Sequence, residues 1–346
     1  MTTGGKTIRW GIIGCGDVTE VKSGPALRRA EGSELVTVMR RDAAKAADYA
    51  KRHGVVRWYA DADKLMDDAE VDAVYVATPP DTHEHYAMRV LQRRKPCYVE
   101  KPMARNLAEA ARMAAAFKQA GVPLFVAYYR RGLARFRKAK ELVETGRLGK
   151  ISAVSVRYCG PRWRDAAVDQ WRLSAQTAGA GFFLDLASHT LDVVDFVLGP
   201  LSGVHGHASN VATAIDVEDN VAMVFQTPGG VLGTGHWNFA ASLMEDVIEI
   251  SGTLGRVSLS TFGNEPVKLL AAEGLEEFSL PNPPHIQQPM IQSVVNELLG
   301  KGKCDSTAES AVRTSAVMDE VLKGYYGGRE DGFWTRAWPG TRAGIK

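Results

Sequence analysis

The 346-residue sequence has almost no net charge, few cysteines and no long apolar run. Its 42 lysines and arginines nearly balance its 40 aspartates and glutamates, which leaves a formal charge of +2. A protein that binds nucleic acid or an anionic membrane through its overall field needs a clear basic excess. We therefore expect neither a nucleic-acid partner nor a membrane partner.

The cysteines are too few and too scattered for a disulfide framework or a thiolate zinc site. No stretch reaches the about 20 apolar residues that a membrane-spanning helix needs. The first ten residues lack the apolar core of a signal peptide. The sequence therefore predicts a soluble, cytoplasmic protein with reduced thiols at Cys15, Cys97, Cys159 and Cys304.

The chain is too long for one ordinary core, and its hydrophobic pattern changes after residue 127. Before that point, short β-branched runs alternate with Ala-rich amphipathic stretches, which is typical of parallel strands joined by crossover helices. After it, longer alternating runs separated by turns indicate a mostly antiparallel sheet with accompanying helices. We therefore predict an α/β fold, with a doubly wound parallel sheet in residues 1–127 and an α+β domain in residues 128–346.

Local patterns place the individual elements. The predicted strands cover residues 8–14, 35–39, 73–77, 97–100, 124–127, 151–158, 221–226, 231–239, 247–251 and 257–260. The predicted helices cover residues 25–30, 43–53, 83–94, 107–120, 133–145, 182–198, 289–299 and 307–326. A basic cluster between residues 130 and 140 is predicted to form a solvated helix face.

The first predicted strand runs into a G-x-G-x-x-[small] turn that opens a helix. Gly14 permits the tight turn, Gly16 lets the backbone approach a pyrophosphate, and the helix amides favour negative charge. The strand–turn–helix context favours a cofactor loop over an ordinary glycine turn. Thr19 departs from the usual glycine or alanine, and its branched side chain is expected to separate helix and strand slightly. The predicted cofactor-binding residues of this loop are Gly14, Cys15, Gly16, Asp17 and Val18.

The end of the second strand selects between the two nicotinamide cofactors. An acidic residue there binds the ribose hydroxyls of NAD, whereas basic residues accept the additional phosphate of NADP. Here Arg40 occupies the acidic position and Arg41 follows it. We therefore predict NADP, with NAD as the alternative. The alternative interpretation is that the two arginines are a solvated surface pair beside a helix that Asp42 caps.

Three further residues fit the chemistry of alcohol oxidation. Strand 97–100 ends at Glu100 and Lys101, at the sheet edge where open α/β folds bind ligands. Asp185 and His189 are four residues apart and share one helix face. Oxidation of an alcohol needs a base near neutral pH and a cation that stabilises the developing alkoxide. His189 and Lys101 suit these roles; the alternatives are a strand-ending lysine and a weak helix-surface pair.

Several motifs, in this order, resemble the Gfo/Idh/MocA oxidoreductases, the group that contains glucose-fructose oxidoreductase and inositol dehydrogenases. They are the glycine turn, ATPPDTH at residues 77–83, Glu100-Lys101-Pro102, Trp171-Arg172 and Asp185-x-x-x-His189. The resemblance runs through nearly the whole chain. It implies a Rossmann domain, a second domain with a large open sheet, and hydride transfer between NAD(P) and a hydroxyl carbon of a sugar, cyclitol or related polyol.

The same resemblance implies roles for individual residues. Lys101, Asp185 and His189 would form the catalytic set. Tyr129 stands where many relatives have asparagine, and the Lys101–Pro102 bond is often cis in relatives. The remaining implied cofactor contacts are Thr78, Pro79, Thr82 and His83 on the adenosine and nicotinamide side, Glu100 near the nicotinamide ribose, and Trp171 and Arg172 from the second domain. Relatives pair through the outer face of the large sheet, which implies a homo-oligomer, dimer or tetramer.

Two other function classes stay open at this point. Some relatives retain the nucleotide through turnover and use transient oxidation to cleave or epimerise a glycoside, while others sense dinucleotide or sugar without catalysis. The pairs His83/His85 and His205/His207 have no evident third ligand, so no metal is predicted. The residues predicted to face the substrate, with packing or surface positions as the alternative, are Arg157, Tyr158, Arg162, Trp163, His236 and Trp237.

Overall fold

A computed structural model of the chain describes residues 6–161 and 170–327, together with the backbone of two short strands, Arg329–Glu330 and Phe333–Trp334. The chain forms two compact units that interleave along the sequence. The first comprises residues up to Ala104, Ala110–Arg137 and Pro281–Val312; the second comprises Arg105–Glu109, Lys138–Leu280 and residues from Arg313 onward. The predicted domain boundary between residues 127 and 128 stays a prediction.

The first unit contains a six-stranded parallel sheet, which confirms the predicted doubly wound architecture. The strand order is β3-β2-β1-β4-β5-β6, so the chain reverses its direction of travel between β1 and β4. The strands are β1 Ile8–Ile13, β2 Ser33–Met39, β3 Arg57–Tyr59, β4 Ala73–Val76, β5 Cys97–Val99 and β6 Leu124–Val126. Strand β3 was not predicted, because three residues at a sheet edge carry no run of apolar side chains.

The second unit contains an eight-stranded sheet in the order β14-β13-β12-β11-β7-β10-β9-β8. Of the neighbouring strand pairs in this sheet, only β7–β10 is parallel, which confirms the prediction of a mostly antiparallel sheet. Its strands are β7 Ile151–Cys159, β8 Ser202–Ser209, β9 Asn220–Gln226, β10 Leu232–Asn238, β11 Glu245–Gly252, β12 Gly255–Leu259, β13 Val267–Ala271 and β14 Gly274–Phe278. In β9 the buried residues alternate with exposed ones, as expected for a sheet with one covered face.

Helices pack against strands of the six-stranded sheet. The α-helices of the described residues are α1 Asp17–Val21, α2 Gly24–Arg29, α3 Ala43–His53, α4 Ala62–Met66, α5 His83–Gln92, α6 Leu107–Ala120, α7 Ala134–Glu144, α8 Ala175–Ala178, α9 Ser188–Leu198, α10 Gln288–Leu298 and α11 Ala308–Tyr326. The predicted bounds of α3 match, because Asp42 caps its first turn and Gly54 ends it with a φ of 61°. Helix α10 packs against α2 and the short 3-10 turn Tyr129–Gly132.

The predicted helix over residues 182–198 is divided into two forms. Residues Phe183–Ala187 form a π-helical turn, and α9 follows directly. A π turn closes its hydrogen bonds over five residues rather than four, and the apolar periodicity of the sequence does not reveal this. Helix α9 is buried over nearly its whole length, including Asp195, whose carboxylate pairs with Arg313 at 2.7 Å.

Only part of the basic cluster after β6 forms the solvated face that its charge predicted: Arg137 is exposed, but three other arginines are not. Arg130, Arg131 and Arg135 are all buried, with 4%, 4% and 2% of their surface exposed. Arg131 donates to the backbone carbonyl of Asp305 at 3.1 Å.

Among the described residues, the helices are all too short or too polar to cross a bilayer.

Candidate functional site

The glycine turn between β1 and α1 has one packed and one open glycine. Gly14 has a φ of +90°, and a Cβ there would lie 2.7 Å from Cγ2 of Thr78, so only glycine fits. At Gly16 a Cβ would meet nothing nearer than the Gly14 carbonyl oxygen at 3.9 Å. The turn is therefore fixed on one side and open on the other, which is what close approach of a pyrophosphate requires.

Thr19 and Cys15 complete the turn from within. Thr19 is buried, and its hydroxyl donates to the carbonyl of Gly16 at 2.7 Å, so its side chain ties the helix to the turn. Cys15 is also buried, and burial raises the pKa of its thiol to about 11. The thiol is therefore protonated at neutral pH and is not a nucleophile.

Arg40 lies against this turn. Its Nη1 donates to the carbonyl of Cys15 at 3.3 Å, and the residue is only half-buried, so its guanidinium presents further N–H groups for an acceptor. Arg41 is exposed. Asp42 accepts a hydrogen bond from the backbone N–H of Lys45 at 3.1 Å and so caps α3. The basic strand end thus places one guanidinium beside the predicted phosphate loop.

The turn after β4 holds Thr78, Pro79, Thr82 and His83. The Thr82 hydroxyl donates to the hydroxyl of Thr78 at 2.8 Å. The His83 ring is fully buried, with Nε2 2.7 Å from the carbonyl of Thr78 and Nδ1 3.0 Å from that of Pro102. Burial lowers the pKa of His83, so its imidazole is neutral at neutral pH. His83 therefore joins the turns after β4 and β5, and its contact with a cofactor stays a prediction.

Glu100 is buried within a network that sequence reasoning missed. Its Oε1 accepts hydrogen bonds from the Tyr75 hydroxyl and, at 2.7 Å, from Nε2 of Gln287, and its Oε2 accepts from the backbone N–H of Lys101 at 3.0 Å. The Tyr98 hydroxyl donates to Oε1 of Gln287 at 3.1 Å. Gln287 follows Glu100 by 187 residues, and no local pattern marks it. The network fixes the carboxylate and the backbone that begins the cis Lys101–Pro102 bond.

The predicted catalytic residues lie in both units. Lys101 is partly exposed and belongs to the first unit, whereas Asp185 and His189 belong to the second. In the second unit, Oδ2 of Asp185 lies 3.5 Å from Nε of Arg172, and the Arg172 guanidinium lies 4.4 Å from the ring centre of Trp171. The structure therefore brings together three residues that were predicted from separate motifs.

His189 is held in a second cluster that the sequence did not predict. It is 4% exposed, and its ring meets the Phe262 ring nearly at right angles, with centres 6.0 Å apart. The carboxylate of Asp246 accepts hydrogen bonds from the backbone N–H groups of Thr261 and Phe262, at 2.9 and 2.7 Å. Asp246 thus fixes the turn that carries the aromatic ring against the predicted base.

Of the remaining predicted residues, several have structural roles. Tyr129 is buried and begins the 3-10 turn after β6, with the Arg130 guanidinium 5.0 Å from its ring centre. Tyr158 and Trp237 are core residues of the large sheet. Arg157 is exposed and pairs with Glu245.

Other predicted positions lie on the surface or beyond the described ranges. His236 is half-buried, with Nε2 3.0 Å from Asn220 Oδ1. Arg162 and Trp163 lie outside the described residues. The pair His83/His85 lies on α5 rather than on a strand, and the pair His205/His207 lies on β8. Within residues 6–161 and 170–327, no three ligand-type side chains group as a metal site requires.

Two family models match consecutive parts of the chain. Residues 8–128 match the oxidoreductase family with an NAD-binding Rossmann fold, and residues 136–258 match the GFO/IDH/MocA C-terminal domain. These two matches together cover most of both sheets.

The chain is also similar to proteins of known name. It is 35% identical over 317 residues to oxidoreductase P35 of Formosa agariphila, with 90% of this chain and 97% of the relative covered. It is 29% identical over 322 residues to 1,5-anhydro-D-fructose reductase of Ensifer adhaerens, covering 91% and 95%. A solved oxidoreductase from Agrobacterium radiobacter, in complex with NAD+, L-tartaric acid and magnesium, shares the fold with a TM-score of 0.84, 21% identity and coverage of 94% and 98%.

Proposed function

Because the chain belongs to the GFO/IDH/MocA oxidoreductase family, we propose that it transfers a hydride between NADP and a hydroxyl or carbonyl carbon of a sugar, cyclitol or related polyol. The observation that carries the proposal is the glycine turn, which is packed at Gly14 and open at Gly16, as a dinucleotide requires. The polyol class is supported by the relative named 1,5-anhydro-D-fructose reductase.

The proposed chemistry assigns one role to each catalytic residue. In the oxidation direction, the Lys101 ammonium stabilises negative charge on the reacting hydroxyl, and His189 takes its proton. Asp185, held 3.5 Å from Arg172, orients His189 or a neighbouring hydroxyl. When bound, the nicotinamide accepts the hydride in oxidation and supplies it in reduction. In reduction, His189 returns the proton, and Lys101 stabilises the negative charge that develops on the carbonyl oxygen.

The proposed cofactor-binding residues divide by what they contribute. The turn Gly14–Val18 supplies backbone amides, and Arg40 and Arg41 supply positive charge for the additional phosphate of NADP. The contact of Arg40 with the Cys15 carbonyl supports this assignment, because it holds a guanidinium at the turn. The other proposed contacts are Thr78, Pro79, Thr82, His83, Glu100, Lys101, Tyr129, Trp171 and Arg172.

The proposal also includes a homo-oligomer and a cytoplasmic location. The large sheet has one exposed face, on which Ala222 and Val224 alternate with buried neighbours, and this face is suited to pairing with a second copy. All four cysteines are free thiols, which supports a reducing compartment. Sedimentation of the purified protein tests the first point: a monomer at micromolar concentration would overturn it.

A substrate screen tests the proposed reaction. The purified protein is mixed with NADP or NAD and with a panel of sugars, cyclitols and polyols, and with NADPH or NADH and the matching carbonyl compounds, while nicotinamide absorbance is followed. We expect turnover with at least one polyol or its carbonyl form, and tighter binding of NADP than of NAD. Tighter binding of NAD would overturn the role of Arg40.

The same screen separates the two rival functions. A nucleotide that copurifies with the protein, together with product formation but no net change in absorbance, would indicate redox-assisted cleavage or epimerisation of a glycoside. Binding of nucleotide or sugar without turnover across the whole panel would instead indicate a sensor.

A further inference from the structure

The helical segment that carries Asp185 and His189 begins on a buried carboxylate from a distant loop. Glu218 is fully buried; its Oε1 accepts a hydrogen bond from the backbone N–H of Phe183 at 3.0 Å, and its Oε2 accepts one from that of Gly181 at 3.0 Å. Backbone N–H groups at the start of a helix have no partner within the helix. The carboxylate satisfies two of them, and its charge complements the positive end of the helix dipole.

Glu218 is itself held by the end of helix α11. The Tyr326 hydroxyl donates a hydrogen bond to Oε2 of Glu218, and both side chains are buried. The neighbouring Tyr325 hydroxyl donates to the carbonyl of Asp216 at 3.2 Å. The carboxylate thus has three donors, and its loop is fastened to α11 at two points. Burial raises the pKa of Glu218, and these hydrogen bonds oppose that shift.

Gly181 allows the loop to approach the helical segment closely. A Cβ at this position would lie 2.6 Å from Cβ of Val217 and 2.9 Å from Oε2 of Glu218. Both distances are shorter than any side chain permits, so the first turn rests directly on residues 217 and 218. The position of the loop therefore determines the position of that turn.

The segment after this turn carries both predicted catalytic residues of the second unit. Asp185 lies in the π turn, a conformation that is frequent at functional sites, and His189 lies in the first turn of α9. Oδ2 of Asp185 lies 3.5 Å from Nε of Arg172, and the ring centres of His189 and Phe262 lie 6.0 Å apart. Since a helix moves as a unit, displacement of its first turn changes both contacts together.

We propose that Glu218, clamped by the Tyr326 hydroxyl, is a positioning residue that sets where Asp185 and His189 stand for catalysis. The expected effect on turnover rests on the proposed function, whereas the expected effect on the position of His189 rests on geometry alone.

Two variants and one matched control test this role. Glu218→Gln keeps the size of the side chain but replaces one acceptor oxygen with an amide NH2, which cannot accept from a backbone N–H. Tyr326→Phe removes only the hydroxyl and is the milder change. Asp219→Asn is the control, because Asp219 is equally buried and accepts from three backbone N–H groups, but on the loop at residues 211–213.

We expect Glu218→Gln to lower kcat about ten- to hundredfold, since a displacement of about 1 Å at a catalytic group has that effect. Tyr326→Phe should lower kcat less, and the KM for the nucleotide should change little in either variant. In nuclear magnetic resonance spectra of protein with isotope-labelled histidine, the His189 signal is assigned by its loss in His189→Ala. That signal should shift in both variants and stay in place in Asp219→Asn.

An unchanged His189 signal together with an unchanged kcat in Glu218→Gln would overturn the proposal. An equal loss of kcat in folded Asp219→Asn would also overturn it, because any buried carboxylate of the region would then have the same effect. If the parent protein turns over no polyol, the proposed function has failed. The comparison of the histidine signals then upholds or overturns the positioning role by itself.

Discussion

The glycine turn of the first unit and the Asp185–His189 segment of the second are built in opposite ways. The turn uses backbone atoms of six consecutive residues, and its main constraint is the φ of +90° at Gly14. The helical segment presents side chains, and its start is held by Glu218 and Tyr326, which follow it by more than thirty and more than a hundred residues. A site made from local backbone can therefore be recognised from a sequence motif, whereas a site held by distant side chains cannot be recognised in this way.

The largest expected effect separates chemistry from cofactor binding. We predict that His189→Ala lowers turnover about a hundred- to ten-thousandfold, because it removes the proposed base. Nucleotide affinity, measured by titration, should stay nearly unchanged, since the glycine turn lies in the other unit. The control is His205→Ala, at an exposed position of β8. Equal turnover in His189→Ala and the parent would remove His189 from the mechanism.

The two glycines of the turn allow a test within the first unit. Gly14→Ala should lower the free energy of unfolding by about 1–3 kcal/mol, because it combines an unfavourable φ with a steric clash at Thr78. Gly16→Ala should leave Tm nearly unchanged, since the added methyl group enters open space, yet should weaken nucleotide binding about ten- to hundredfold. Thermal unfolding and nucleotide titration of both variants check this. Nucleotide binding by Gly16→Ala that equals that of the parent would contradict the role of the open glycine.

Substitution of Arg40, which lies beside the same turn, is expected to have a smaller effect on nucleotide affinity. Arg40→Ala should weaken NADP binding about tenfold while NAD binding changes little, because a charge-assisted contact with the additional phosphate is lost. Lys51→Ala, an exposed cation at the other end of α3, is the control. Equal weakening of both nucleotides would show that Arg40 supports the turn rather than selecting NADP.

The smallest effect is on the pH dependence of stability. Burial lowers the pKa of His83 below its ordinary value of 6.5, so below that pH the unfolded chain binds a proton that the folded chain does not. The free energy of unfolding should therefore fall as the pH decreases from 6.5, with a contribution from His83 of at most about 1.4 kcal/mol per pH unit. Urea unfolding of the parent, His83→Asn and His85→Asn checks this. Only His83→Asn should show a shallower dependence; parallel curves for all three would contradict the assignment.

The same contrast explains which features the sequence could predict. The strands around the glycine turn were predicted to within about two residues, because buried parallel strands and capped helices leave local patterns. The π turn at Phe183–Ala187 and the buried arginines after β6 were missed, since hydrogen-bond closure and burial depend on partners elsewhere in the chain. Gln287, Phe262 and Glu218 were missed for the same reason: each meets a predicted site residue, or the segment that carries one, only through folding.

Transfer of isotope tests the central claim, that this protein moves a hydride between a polyol carbon and a nicotinamide. A polyol that is active in the screen is prepared with deuterium on the carbon that bears the reacting hydroxyl and is incubated with the parent protein and NADP. We expect deuterium to appear on the nicotinamide ring of the reduced nucleotide, and His189→Ala to slow its appearance by the same factor as turnover. Reduced nucleotide that carries no deuterium, or product that forms while deuterium is lost to solvent, would contradict this claim.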